Sequence, residues 1–140
     1  MVFAGISYLA VLVAAVASWC FGAAWYTALA KPWMAARGYA TKEEMLGPSG
    51  KPSPAPFVIS FVAELVMAWM LAGVVGHMGE VTAKDGLISA FFLWLGFVIT
   101  TMAVNHAYAK VRPALTAIDG GHWLGVLLVQ GLVIGLFGAR

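Results

Sequence analysis

The sequence predicts an all-α polytopic membrane protein, with four transmembrane helices in an antiparallel bundle. Of its 140 residues, 62% are apolar and 10% charged, whereas a soluble domain carries about 45 to 50% and about 25%. Charged side chains are missing from Val2 to Ala30, from Gly86 to Ala109 and from Gly120 to Ala139, and Phe57 to Gly79 holds one, Glu64. Each stretch is long enough to cross hydrocarbon of about 30 Å as a helix. A helix also satisfies its own backbone where lipid offers no partner. This balance excludes a disordered chain, a nucleic-acid reader and a soluble coiled coil, and it makes the lipid bilayer the expected partner.

The first span is expected over about 3–30. It is apolar from Val2, lacks the basic start of a signal peptide, and has Trp19 where a lipoprotein cleavage site before Cys20 needs a small residue, so it is expected to be retained. Cys20 is the only cysteine, which excludes an intramolecular disulfide and leaves it a packing role. Ala10, Ala14, Ser18 and Gly22 recur every four residues, a face that allows close helix approach. The connection over 31–56 carries Lys31, Arg37, Lys42 and Lys51, and Pro48, Pro52, Pro54 and Pro56 keep its end irregular. Within it, Thr41-Lys42-Glu43-Glu44 has capping-box spacing, which predicts a short interfacial helix.

The second and third spans, about 57–79 and 86–109, are joined by a hairpin-short connection around Glu80 to Asp85. A similar connection, Lys110 to Ala117, leads into the fourth span, about 118–138. That span contains two small-xxx-small pairs, Gly121 with Gly125 and Gly131 with Gly135. The expected role of Ala14, Ser18, Gly22, Gly121, Gly125, Gly131 and Gly135 is packing between helices of one chain, ahead of a dedicated oligomer interface. A homo-oligomer is still expected, because four thin spans bury little surface.

Short connections make neighbouring spans antiparallel, with both termini on one face. The opposite face has six Lys or Arg (Lys31, Arg37, Lys42, Lys51, Lys110, Arg112) and the terminal face two (Lys84, Arg140). The positive-inside rule then predicts a bacterial inner (cytoplasmic) membrane protein with both termini outside. Trp25, Tyr26, Trp33 and Tyr108 fit an aromatic belt at the six-charge end. Phe21-Gly22 and Leu95-Gly96 are faintly alike, but a duplicated hairpin is not needed to explain them.

Polar groups inside spans are costly and usually face the bundle interior. Glu64 is the sharpest case, about 10 Å along its helix from Phe57 at 1.5 Å per residue. Tyr26 closes the first span at the same end, Asn105 and His106 close the third, and Asp119 and His122 open the fourth. Their common level predicts a polar pocket beneath the six-charge face. At 100° per residue, Asp119, His122, Val126 and Gln130 share one face, a polar track toward mid-depth; Thr101 and Asn105 share another.

Plainer roles compete. Asp119, with Thr116 three residues earlier, suits a helix N-terminus; His106 and His122 suit the interface; Asn105 and Gln130 suit interhelical hydrogen bonds; Glu64 could pair with Lys31. His77 and Glu80 read as interfacial residues of the outer end. Asp119 and His122 have the i, i+3 spacing of bundle metal sites, but the spans lack the carboxylates a di-iron centre needs; a mononuclear site from Glu64, Asp119, His122 and His106 is the remaining alternative, and the expectation is no metal and no cofactor. No catalytic residue is predicted, as no nucleophile, zinc or phosphate-loop motif occurs.

The run Phe21-Gly22-Ala23-Ala24-Trp25-Tyr26, followed by Lys31, Trp33, Glu64, Trp94-Leu95-Gly96-Phe97, Asn105 and Ile118-Asp119-Gly120-Gly121, resembles the domain of unknown function 1761 family of small bacterial four-span membrane proteins. The resemblance spans essentially the whole chain. The family pattern often has an aromatic residue where His122 stands. The resemblance implies a membrane location and a four-span architecture, and no activity. The functional expectation is a small transport or permeation protein in which Glu64 binds a cation or proton, aided by Tyr26, Asn105, His106, Asp119 and His122, with the ligand unknown. The alternative is a non-transporting scaffold or accessory subunit whose small-residue faces bind partner helices.

Overall fold

The computed structural model describes residues 5–138. The first span is α1 (Tyr8–Ala28), opened by Ser7, whose hydroxyl accepts from the Ala10 N–H at 3.2 Å. The part of the expected span before residue 5 lies outside the described residues. After Leu29 the chain enters α2 (Ala30–Arg37), which ends at Gly38 with φ +85°, a left-handed stop that glycine adopts without strain. The capping box forms α3 (Lys42–Leu46): Thr41 accepts from the Glu44 N–H at 3.2 Å, and the Glu44 carboxylate reaches back to the Ala40 N–H at 2.7 Å. A 3₁₀ turn (Gly47–Ser49) follows.

The second span is α4 (Ala55–His77). The third span, Ala83–Tyr108, is not one regular helix. It is α5 (Ala83–Leu93), a π-helical segment (Trp94–Val98) and α6 (Ile99–Tyr108). The fourth, α7 (Pro113–Phe137), starts five residues before the expected 118. Its start follows Pro113, which is pre-organised for a first helical position, rather than the last charged residue. All four spans are long and apolar enough to cross a membrane, and no strand occurs among the described residues.

The fourth span is the hub, packing on α1, α4 and α5. Its glycines make this possible. A Cβ on Gly131 would strike the Gly86 carbonyl, one on Gly135 the Thr82 carbonyl, and one on Gly125 the Phe21 ring. On α1, Ala10, Ala14, Ser18 and Gly22 are all buried within the chain. The small-residue faces are therefore occupied by intrachain packing. The apolar core gathers Val11, Ala14, Ala15, Ala68, Leu71, Val75, Ala90, Leu127 and Ile134.

The bundle is uneven along its length. At the end bearing the termini, α5 lies against α7 through backbone-close glycine contacts. At the other end, which carries the long connection and is called here the loop end, α6 contains no buried residue. There α2 folds back over the start of α7, and the Arg112 guanidinium donates to the Ala35 carbonyl at 2.5 Å.

Candidate functional site

The polar side chains of the spans fall into two clusters rather than one pocket. The first lies at the loop end. Asp119 is on α7, well past the first turn of a helix that begins at Pro113, so it does not cap that helix. One carboxylate oxygen accepts from the Tyr26 hydroxyl at 2.8 Å and from the Trp33 indole N–H at 3.2 Å. The neighbouring carbonyls are also engaged: Ile118 accepts from Trp25 at 3.1 Å and Gly120 from Trp94 at 2.8 Å. Three indoles from α1, α2 and the π segment thus converge on Ile118-Asp119-Gly120. Trp33 is further covered by the Arg37 guanidinium, 5.4 Å from its ring centre. Every partner in this latch is a protein group, and its geometry ties the connection to the bundle.

The second cluster lies near mid-span. Glu64 is on α4, nine residues after Ala55, about 13 Å along the helix, and is 1% exposed. Ser18, a small residue in the α1 stripe, donates its hydroxyl to the Glu64 Oε2 at 2.6 Å. Gln130 of α7 donates from Nε2 to Ser18 Oγ and to the Glu64 main-chain carbonyl, each at 3.0 Å. That carbonyl can only accept, so it orients the amide with Nε2 toward it. The Gln130 Oε1 is consequently turned away, buried and without a partner. No ion pair joins Glu64 to Lys31 or to any other cation among the described residues.

His122 lies one helical face along α7 from Gln130, as the spacing predicts, and is 5% exposed. Its ring packs against Tyr26, with centroids 4.7 Å apart, and Trp123, at 4.8 Å. Its Nδ1 is buried without a partner. Gly22 leaves room for it, since a Cβ there would come 2.7 Å from the His122 Nε2. Glu64 and His122 both line a cleft of about 680 Å³ between α1, α4 and α7, whose other walls include Trp19, Tyr26, Phe57 and Trp123. Lining by Ala30 and Pro56, at the helix ends, carries the cleft to the loop end.

The model of the family described as "Protein of unknown function (DUF1761)" matches residues 9–135, more than half of the chain and all four spans. The chain belongs to that family. No curated protein and no solved structure matches it. Several residues that carry the family resemblance in sequence meet in space: Trp25, Tyr26, Trp33 and Trp94 all bond within Ile118-Asp119-Gly120.

In this family member, three of the six expected site residues, Asn105, His106 and Asp119, stand apart from Glu64, and Tyr26, Glu64 and His122 border the cleft. Asn105 is exposed on α6. His106 faces the start of α7, with Nδ1 2.9 Å from the Thr116 hydroxyl. Packing is the physical reason: α6 lies against α7 and the π segment, with no comparable contact to α4, and Thr101 and Asn105 are both exposed. Tyr26 and Asp119 belong to the latch, and Tyr26 also borders the cleft. Sequence reasoning grouped Ser18 and Gln130 with packing and a polar track, and it did not single out Trp19, Phe57, Ser60 or Trp123 as cleft walls. Recognising those walls required the helix contacts, because aromatic residues occur throughout the spans. No group of three metal-ligating side chains occurs among the described residues.

Proposed function

We propose that this protein is a small permeation or transport protein in which Glu64 takes up a proton or a cation from the loop end. The supporting observation is a carboxyl group buried at mid-span, without a protein cation, on the wall of a cleft that extends to the loop end. An ionised carboxylate in that setting is costly unless something neutralises it. A proton or a bound cation serves. Ser18 and Gln130 hold the carboxyl and its helix in position, His122 supplies a second polar group on the same wall, and the Tyr26–Asp119–Trp33 latch keeps the mouth in shape. The Lys and Arg count supports a loop end facing the cytoplasm of a bacterial inner membrane, with both termini outside.

The test is flux in proteoliposomes under an imposed potential, followed with an internal pH dye. Wild-type protein is expected to conduct protons or exchange them for a cation. Glu64→Gln, which keeps an acceptor for Ser18, is expected to abolish that flux while eluting as a folded species. Equal flux from the two proteins would refute the reading. The scaffold alternative is less well supported, because Gly125 and Gly135 already receive Phe21 and the Thr82–Ala83 backbone.

A further inference from the structure

The ligand class of the Glu64 cleft follows from its size and walls, on the reading that Glu64 is the binding carboxyl. A volume of about 680 Å³ lies within the range of about 300 to 1,000 Å³ typical of sites for organic molecules. A bare metal ion needs several oxygen ligands close together. The cleft lining holds a single carboxylate, Glu64, and no group of three metal-ligating side chains occurs among the described residues.

What the walls offer instead is aromatic surface: Trp19, Tyr26, Phe57 and Trp123 surround the approach to Glu64. Ring faces attract cations, most strongly when water is excluded, and Trp is the best of them. A buried carboxyl without a protein counter-ion completes the electrostatic match. An acyl chain would fill the apolar walls yet leave the carboxyl unanswered.

From the aromatic walls, the volume and the single acidic group, we infer that the cleft binds a hydrophobic organic cation, such as a lipophilic amine or a quaternary onium compound. Its positive centre sits against Glu64 and its apolar body against Trp19 and Trp123. Binding to the protonated carboxyl releases that proton to water, so cation and proton compete for one group.

The experiment uses the purified full chain in detergent, with tetraphenylphosphonium as the cation and triphenylphosphine oxide as the neutral aryl comparator. Calorimetry reads affinity and a pH dye reads proton release. The expected result is saturable binding of the cation with proton release, and weak binding of the neutral compound without it. Affinity should fall about tenfold or more in Glu64→Gln, the scale on which losing one partner of a buried charge pair acts, and roughly fivefold in Trp19→Leu and Trp123→Leu. Non-saturable binding, equal binding of the neutral compound, or affinity indifferent to Glu64→Gln overturns the inference; equal binding of the neutral compound would mark a lipid-type cleft. Glu64-dependent proton flux without cation binding removes this ligand class and leaves the Glu64 reading standing. Glu64-dependent cation binding without flux keeps the ligand class and removes transport.

Discussion

The two polar clusters of the bundle share a helix, α7, yet differ in one respect: whether a member's polar atom is left both buried and without a partner. In the loop-end latch, Asp119 receives a hydroxyl and an indole N–H, and the carbonyls on either side receive two more indoles. In the mid-span cluster, the Gln130 Oε1 is buried without a partner and Glu64 has a hydroxyl donor but no cation; between the two clusters, the His122 Nδ1, one turn from Asp119 and against the Tyr26 ring, is also buried without a partner. Unsatisfied buried polar groups are costly and uncommon. A cluster saturated at its buried atoms needs nothing beyond itself, whereas one left unsaturated there, beside a cleft, has chemistry left over for a ligand. That contrast supports a structural role for Asp119 and a binding role for Glu64.

Substitutions can break the contrast in order of expected size. Asp119→Ala strands the Tyr26 hydroxyl and the Trp33 N–H, so it should destabilise the folded protein by about 1 to 3 kcal/mol, read as a lowered midpoint in a thermal unfolding series in detergent. The folded fraction should still bind the phosphonium probe. Gln130→Met removes two interhelical hydrogen bonds but also the unpartnered oxygen, so its net effect on the same midpoint should correspond to about 1 kcal/mol or less. If Gln130→Met proves far more damaging than Asp119→Ala, the division into a saturated and an unsaturated cluster is wrong. The smallest effect belongs to Asn105→Ala, whose exposed side chain should change stability by no more than about 0.5 kcal/mol and leave binding untouched. A loss of binding there would return α6 to the site.

Much of this fold was legible in the sequence because the bilayer imposes a simple signal. Long stretches without charge marked four spans, and Thr41 with Glu44 marked α3. The glycine spacing pointed to close packing between helices, and in the bundle Gly131 lies against Gly86 and Gly22 against His122. Periodicity also put His122, Val126 and Gln130 on one buried face. Other features left no comparable trace. Helix α2 follows α1 after a single residue and was hidden in what reads as a connection. No residue type announces the π segment at Trp94–Val98, and nothing in the sequence shows that α6 packs on α7 and not on α4, which is why Asn105 and His106 were expected beside Glu64. The meeting of Ser18, Glu64 and Gln130 depends on three helices, and a one-dimensional pattern carries their faces but not their contacts.

The depth of Glu64 was underestimated for a related reason. Counting from Phe57 ignored the turn that Pro56 begins, and α4 in fact starts at Ala55. The carboxyl is therefore nearer mid-span than the interface, too deep for Lys31 to answer, and Ser18 answers it instead.

The central claim is that Glu64 is a buried carboxyl in apolar surroundings on the cleft wall, and that it takes a ligand there. Carbodiimides such as dicyclohexylcarbodiimide modify protonated carboxyls in apolar surroundings, and mass spectrometry locates the adduct. The account predicts modification of Glu64 in preference to Asp119, slowed by the phosphonium cation and not by its neutral comparator. Modification of Asp119 with Glu64 left intact, or labelling of Glu64 that the cation does not slow, would contradict it.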